Sequence, residues 1–474
     1  MFLRLFYDEK LAHSSYLIGC QASGEAIVVD PNRNSGRYID LARNEGLRVA
    51  HVTETHIHAD FVSGARELAH RTGARLHLSG MGGSEWQYRF ADAAGAELLK
   101  EGSCIRVGAI ELSALHTPGH TPEHLAFLVA DTKASADPMG ALTGDFLFVG
   151  DVGRPDLLER AAKQRGTMVA SAHQLFASLR RFRALPDYLQ IWPAHGAGSS
   201  CGKSLGAVPQ STLGYEKRTN WAFAVEDEEE FVRLVLEGQP DPPRYFGFMK
   251  KINRDGPPLL DGAPRVERLP IVRLAPALAA GAAVVDTRPA QEYARGAVRG
   301  TINIPGNRSF TTWAGWLLPY DRDIYLITDG KDATTAERIA RDLSGIGLDR
   351  VAGYFVGGES DGSPGDLDPQ RILTVDAETV ERSASAGAAT VLDVRTAAEW
   401  REGHVPWARH LSLSEFPDRL EELPRDRPIV VHCQAGGRAA IAASLLLARG
   451  FAEVTVFPGG FAEWKASGRP IAGS

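Results

Sequence analysis

The sequence predicts an α/β protein of several domains, and three observations carry that prediction. The chain has 474 residues, past the length at which a single hydrophobic core stops growing, so about three domains are expected. Short apolar stretches of strand character interleave with segments of helical period, the pattern of α/β folds. An internal repeat occupies the second half: Val284-Val-Asp-Thr-Arg288, followed by Glu292, Tyr293 and Gly296, returns as Val391-Leu-Asp-Val-Arg395, followed by Glu399, Trp400 and Gly403, at an offset of 107 residues.

Linkers divide the chain. Residues 253–264 are dense in Pro, Gly and Asp and lack either hydrophobic period, which marks a connection rather than an element. A shorter stretch of the same kind covers 360–369. The expected domains are therefore 1–252, 266–362 and 372–474, the last two being small units with a mostly parallel sheet. In each, an apolar strand (Ile324–Thr328, Ile429–His432) leads into a helical segment and a second strand ending in Gly-Gly. Both helices lie in the copies' shared order, and the second is expected to begin near Ala439.

Composition narrows the function classes. There are 52 basic and 59 acidic residues, net charge −7, with no stripe of Lys and Arg, so nucleic acid is not expected as a partner. No apolar run is long enough to span a bilayer, and the apolar stretch within Met1–Lys10 is too short for a secretory signal. A cytoplasmic protein with no membrane partner is expected, and the sequence leaves room for a homo-oligomer. The four cysteines (Cys20, Cys104, Cys201, Cys433) are scattered and read as separate thiols. Cys20 and Cys104 have apolar or strand-like neighbours and are expected to be buried.

The first domain places metal-capable residues next to Gly or Pro at strand ends. Thr55-His-Ile-His-Ala-Asp60 lets one tight turn aim two imidazoles and a carboxylate into one space. His116-Thr-Pro-Gly-His120, Thr143-Gly-Asp145 and Trp192-Pro-Ala-His195 follow in order. In the last repeat, a strand delivers Cys433-Gln-Ala-Gly-Gly-Arg438 to the start of a helix. Backbone N–H groups and the positive end of the helix dipole there stabilise an anionic sulfur. Gly436 and Gly437 let the loop close around the thiol, and Arg438 adds positive charge for an anionic substrate.

The ordered His and Asp motifs resemble the metallo-β-lactamase superfamily over about residues 1–250. The resemblance implies an αββα sandwich with a metal site at one edge of the two sheets. The hydrolase branch has His at the sixth position of the first motif, where this chain has Phe61. The second metal position then retains only Asp60, His195 and a shared Asp145, and a stable dinuclear centre is not expected. The branch that works with one metal is the persulfide dioxygenases. Carried over by position, their iron ligands are His56, His120 and Asp145, with His58, Asp60 and His195 as supporting residues or a vestigial second site. Two imidazoles and one carboxylate leave positions open on Fe(II) for a substrate sulfur and for O₂, which zinc, without redox chemistry, cannot use.

Gly150-Asp-Val-Gly-Arg-Pro-Asp156 resembles that family's Gly-x-Gly-Arg-x-Asp segment, whose Arg binds the glutathione carboxylate. Arg154 is thus a candidate substrate clamp, the alternative being an ordinary ion pair. Cys201, six residues past His195 in a Gly and Ser loop, is placed near the metal mouth as a thiol able to carry or accept sulfane sulfur, or else as a plain loop residue. The chain from 195 to 221 resembles bacterial fusions of a persulfide dioxygenase with rhodanese domains.

The last repeat resembles the rhodanese family. Its Cys-x₄-Arg loop matches sulfurtransferases rather than the longer loop of related phosphatases, and Asp393 and Arg395 match a structural Asp-x-Arg segment. The first repeat carries Asp329 where the thiol should be, which implies an inactive rhodanese homology domain. The resemblance as a whole implies an α/β multidomain enzyme that oxidises a low-molecular-weight thiol persulfide of the glutathione, coenzyme A or bacillithiol type. O₂ at a mononuclear iron would give sulfite and thiol, and Cys433 would carry sulfur between sulfite and thiosulfate. The alternative is a glyoxalase II-like zinc thioester hydrolase fused to a sulfurtransferase.

Overall fold

Alternation along the strands decides the layers of the first unit. In the strand His13–Cys20, Tyr16 and Ile18 face one core and Leu17 another, because successive side chains of a strand leave on opposite faces. The computed structural model describes the whole chain except residues 161–165, 198, 200, 204, 240–241, 331, 359–368 and 474. Met1–Pro264 belong to one compact unit, and a second unit runs over Arg265–Leu343 and Leu348–Ser474. The stretch expected as a linker at 253–264 ends where the first unit does, but its residues 253–255 close the helix Phe246–Asp255. The shorter linker expected at 360–369 lies outside the described residues apart from Pro369.

The first unit holds two six-stranded sheets. One runs in sequence order: Phe2–Asp8, His13–Cys20 and Glu25–Val29 pair antiparallel, and Arg48–Thr53, Arg75–Ser79 and Glu97–Leu99 continue it in parallel. The other is an antiparallel run of Cys104–Val107, Ile110–His116, Leu125–Asp131 and Gly140–Gly144, extended by Gln190–Pro193 and Ser211–Thr212. Tyr16, Ile18, Ile27 and Val29 of the first sheet and Leu112, Phe127, Leu142 and Trp192 of the second form the core between them. Leu17, Val28 and Val52 turn the other way onto the helices Gly36–Asn44 and Ala65–Thr72. On the far side, Ala141 and Ile191 pack on Met168–Arg183 and Glu228–Leu236. Helices cover both outer faces, so the unit is an αββα sandwich of the metallo-β-lactamase fold.

In the second unit the repeat becomes two sheets of one design. Ile302–Asn303, Ala283–Asp286, Ile324–Thr328 and Val351–Val356 form a parallel sheet in that order. Arg409–His410, Thr390–Asp393, Ile429–His432 and Val454–Val456 reproduce the order, and Leu373–Thr374 adds an edge strand. The repeated Asp and Arg pair does the same work twice. Arg288 grips Asp286 at 2.6 Å, and Arg395 grips Asp393 at 2.8 Å while donating to the Gly403 carbonyl at 2.7 Å. Both ties fix the loop after the first strand of a repeat. The helix after Cys433 starts at Gly437, two residues before the expected Ala439.

Among the described residues no helix is long and apolar enough to cross a membrane. Because Phe127 is fully buried between the sheets, Phe127→Ala should lower the stability of the first unit by about 3–5 kcal/mol, read as a fall in the midpoint of its urea transition.

Candidate metal centre and sulfur-transfer cleft

Every metal-capable side chain named above leaves the carboxyl end of a strand. The 54–63 loop follows Arg48–Thr53, the 117–124 turn follows Ile110–His116, Asp145 follows Gly140–Gly144, and His195 follows Gln190–Pro193. His56, His120 and Asp145 converge with one ligand atom each within 4.8 Å of one another, all buried. Asp145 Oδ2 lies 3.5 Å from His120 Nε2 and 3.9 Å from His56 Nε2.

The ring orientations are set by hydrogen bonds behind the site. Asp30 sits at the end of Glu25–Val29 with a φ of 52°, a conformation a non-glycine residue adopts at a cost. Its carboxylate accepts from Thr55 N at 2.6 Å and from Thr55 Oγ1 at 3.0 Å. With its proton spent on Asp30, the Thr55 hydroxyl accepts from His56 Nδ1 at 3.0 Å, which leaves the bare Nε2 facing Asp145. His120 Nδ1 donates to the Arg154 carbonyl at 3.1 Å, with the same consequence for its Nε2. Burial, then the neighbouring histidines, hold His56 well below its ordinary pKa, and burial lowers His120 too. Both are therefore neutral imidazoles with a lone pair aimed inward, the form that ligates a metal.

His58 is turned away. Its Nε2 donates to Asp30 Oδ1 at 3.2 Å, so the second histidine of the motif braces the first through a shared carboxylate. Asp60 and His195 form another corner, with His195 Nε2 at 3.2 Å from Asp60 Oδ2 and 3.4 Å from Asp145 Oδ1. Cys201 joins that corner and is buried. Burial, then Asp145, pushes its thiol up to about 12. The loop is held by Arg154 N donating to the Cys201 carbonyl at 3.3 Å and by Cys201 N donating to Ser199 Oγ at 3.1 Å.

Several residues that position the site carried no motif. His124 Nε2 accepts from Asp145 N at 3.1 Å while its Nδ1 donates to Thr117 Oγ1 at 2.8 Å, fixing the backbone of Asp145. A Cβ on Gly144, whose φ is 52°, would meet His124 Nε2 at 2.5 Å, so only glycine lets Asp145 reach in. His13 is buried against the Phe61 ring at 4.0 Å between centroids. The available signals were the four-residue spacing of His120 and His124 and the Asp at a strand end. Nothing local marked His13.

Arg154 is fully buried, and its guanidinium holds Asp156 through two 2.8 Å hydrogen bonds. Its carbonyl also accepts the His120 Nδ1 hydrogen bond that orients that ring. Cys20 is buried as expected, but Cys104 is exposed. Cys104 opens the strand Cys104–Val107, where alternate residues face solvent, so strand-like neighbours did not imply burial.

The second unit carries the other thiol. Cys433 follows Ile429–His432 and is nearly inaccessible, at 2% exposure. Phe461 N donates to its carbonyl at 2.8 Å and Ala462 N to the Gln434 carbonyl at 3.1 Å, anchoring the loop to the next helix. Gly436, with a φ of 85°, passes so close to Pro458 that a Cβ would meet its carbonyl at 2.6 Å. Arg438 is not left open to an anion. Glu399 accepts two 2.7 Å hydrogen bonds from it while closing the capping box of Ala397–Glu402 with Thr396. Burial opposes ionisation of Glu399, but the bonds from Arg438 and Thr396 N outweigh it and hold the carboxyl at about 2.

Both repeats wall the Cys433 cleft. Its volume is about 960 Å³, and Asn307, Trp313, Asp329 and Arg338 of the first repeat line it opposite Cys433 and Arg438. The copies dock where Asn303 N donates to the buried Ser444 Oγ at 2.9 Å. Asp329, in the place of a thiol, faces the same space.

Residues 9–195 match the metallo-beta-lactamase superfamily model and residues 376–467 the rhodanese-like domain model. The human mitochondrial persulfide dioxygenase ETHE1 is 30% identical over 253 residues, 53% of this chain and 87% of its own length. A beta-lactamase hydrolase-like protein of Agrobacterium fabrum is 28% identical over 256 residues, 49% of this chain and 54% of the relative, so the match spans about half of that protein. The crystal structure of a metallo-beta-lactamase from Staphylococcus aureus superposes with a TM-score of 0.69 at 45% identity, over 75% of this chain and 99% of that one.

Removing the carboxylate behind the histidines, as Asp30→Asn, should weaken divalent metal binding roughly 10–100-fold, measured by competition with a chromophoric chelator. Glu399 supplies a pH test. Its depressed carboxyl stabilises the fold above the ordinary value of 4.5 and loses that contribution as the pH falls toward about 2. Glu399→Gln should therefore be less stable than the parent at neutral pH, with the gap closing below pH 4.5, as urea melts at stepped pH would read.

Proposed function

Since the chain belongs to the metallo-beta-lactamase superfamily, as a fusion of a domain homologous to persulfide dioxygenases with a C-terminal rhodanese-like domain, we propose that it oxidises a low-molecular-weight thiol persulfide and passes sulfur through Cys433. The observation that carries the reading is the disposition of the motif histidines. His56 and His120 aim bare Nε2 atoms at Asp145 while His58 is spent on Asp30. Two imidazoles and one carboxylate are the donor set of oxygen-activating mononuclear iron, whereas a third imidazole would favour zinc. Iron held there supplies redox chemistry and open positions for the persulfide sulfur and O₂.

The reaction balances as RSSH + O₂ + H₂O giving RSH, sulfite and two protons, the outer sulfur losing four electrons to O₂. The chain's residues hold the centre dry and oriented. Thr55 and the Arg154 carbonyl keep Nδ1 of each histidine protonated, and His124 fixes the Asp145 backbone. Carboxylates in a buried site keep their charge only when paired, which ties occupancy to ligand integrity.

At the second thiol, a Cys433 persulfide reacts with sulfite to give thiosulfate and the free thiolate, or runs in reverse. Sulfite is the product of the first reaction and the acceptor of the second. The Cys-less repeat contributes to this step by walling the cleft with Trp313 and Arg338, a volume suited to an organic persulfide as well as to a small anion.

The test is anaerobic purification with metal analysis, then O₂ uptake on addition of glutathione persulfide or coenzyme A persulfide, with a thioester as control. Iron in the first domain and persulfide-dependent O₂ uptake are expected. Zinc with thioester cleavage and no O₂ uptake would assign the domain to thioester hydrolysis instead. Cys433→Ser should retain O₂ uptake and release sulfite, with thiosulfate formation lost; thiosulfate persisting in that variant would break the coupling.

A further inference from the structure

The charges left available in the Cys433 cleft belong to the repeat that lost its thiol. On the Cys433 side, Arg438 gives both Nη atoms to Glu399 at 2.7 Å, and a guanidinium held by both oxygens of a carboxylate has little charge to offer an incoming anion. Arg338, on the helix Ala333–Gly345 of the first repeat, is less engaged. It makes one long contact, Nη1 to Asp342 Oδ2 at 3.4 Å, and its side chain is 43% exposed. Its Nη2 lies beside Gly306, another residue of the cleft wall.

Asp329 carries the opposite sign. It follows the strand Ile324–Thr328 as Cys433 follows Ile429–His432, lines the cleft and is exposed. Among the described residues it has no hydrogen bond or ion pair. The two copies also differ in what their helix starts can hold. The Cys433 loop presents backbone N–H groups to an anionic sulfur. In the first repeat Asp332 Oδ1 accepts from Thr334 N at 3.0 Å, so the positive end of that helix is already answered by an acid of the chain. Asp329, three residues earlier, adds a second carboxylate. This wall attracts an ammonium and disfavours small dianions and phosphates.

One wall therefore combines a carboxylate, a guanidinium and the indole of Trp313, and Cys433 lies across from them. The volume of about 960 Å³ falls in the range of about 300–1,000 Å³ that small-molecule sites occupy. A guanidinium pairs with a carboxylate and a carboxylate with an ammonium. A molecule that satisfies both and brings sulfur to Cys433 has an α-amino-acid head at one end and a thiol or persulfide at the other.

We propose that the Cys-less repeat selects the sulfur carrier for Cys433 by its zwitterionic head, Arg338 taking the carboxylate and Asp329 the ammonium. Cysteine- and glutathione-type persulfides are then preferred over a phosphate-bearing carrier such as coenzyme A persulfide. The transfer balances within the cleft. The Cys433 thiolate attacks the outer sulfur of RSSH, the S–S bond breaks, RS⁻ leaves and takes up the persulfide proton, and the sulfur held on Cys433 passes to sulfite as thiosulfate. This inference deepens the proposed reaction and rests on Cys433 being its sulfur-transfer thiol.

The experiment assays full-length protein without O₂, which silences oxidation in the first domain, with sulfite as acceptor and thiosulfate formation as the readout. The donors are glutathione persulfide, its N-acetyl derivative, which lacks only the ammonium charge, and coenzyme A persulfide. The KM for glutathione persulfide is expected to lie about three- to tenfold below those of the other two. Asp329→Asn should raise it and erase the difference from the N-acetyl derivative, and Arg338→Gln should raise KM for both glutathione donors. Asp329 is exposed, so its substitution leaves the core untouched. Equilibrium binding of glutathione and N-acetylglutathione to full-length Cys433→Ser protein, with and without Asp329→Asn, reads the same preference without turnover. A parent that does not distinguish the two, or a preference that survives Asp329→Asn, would overturn the proposal. If no donor yields thiosulfate while the binding preference and its dependence on Asp329 persist, the sulfur-transfer reading fails and the head-group site stands.

Discussion

Two carboxylates, Asp60 and Asp145, are buried in the first unit among imidazoles, with His195 Nε2 3.2 Å from Asp60 and 3.4 Å from Asp145. That is expensive in a low-dielectric interior, and the surrounding loops are organised around it. Asp30, Thr55 and His124 hold the imidazoles and the Asp145 backbone in the one arrangement that presents lone pairs and anions to a common point. The strained backbone of Asp30 and the glycine at 144 are the local costs of that arrangement. A cation held by His56, His120 and Asp145 would offset the cost of burying the Asp145 carboxylate, so metal binding and the geometry of this edge of the sandwich are linked.

The second unit solves a different problem with a duplicated part. Both repeats keep the parallel strand order and the buried Asp–Arg tie that shapes the loop after the first strand. They differ at the next strand end, where one carries Cys433 and the other Asp329. Loss of the thiol did not make the first copy an inert spacer. Trp313 and Arg338 reach the cleft that Cys433 lines, so the copy without a thiol shapes access to the copy with one. Arg438, bound to Glu399, is part of the loop's internal support as well as its positive wall.

Much of this was legible from residue order. The His and Asp motifs are short because one tight turn after a strand can aim several ligands, and such turns are local. The repeat was legible because a duplicated fold keeps its strand and ion-pair residues in register. Cys433 announced itself by its place between an apolar strand and a glycine-rich helix start. Arg154 was harder: a guanidinium matches a substrate carboxylate and an internal Asp156 equally well on paper, and only the folded chain shows that it holds Asp156. Cys104 failed for the converse reason, since strand character does not say which face a residue takes when the strand lies at a sheet edge.

Residue order alone sets the donor types, their succession along the chain, the duplicated architecture and the position of Cys433 at a strand-to-helix turn. Tertiary structure decided which nitrogen of each histidine faces the centre, that His58 serves Asp30, and that Cys201 stands with Asp60 and His195. The physical reason is range. Tautomers here are set by partners such as Ala12 for His195, 183 residues away, and Arg154 for His120, 34 residues away. Such hydrogen bonds exist only once the two sheets have packed and carried those loops to the same edge.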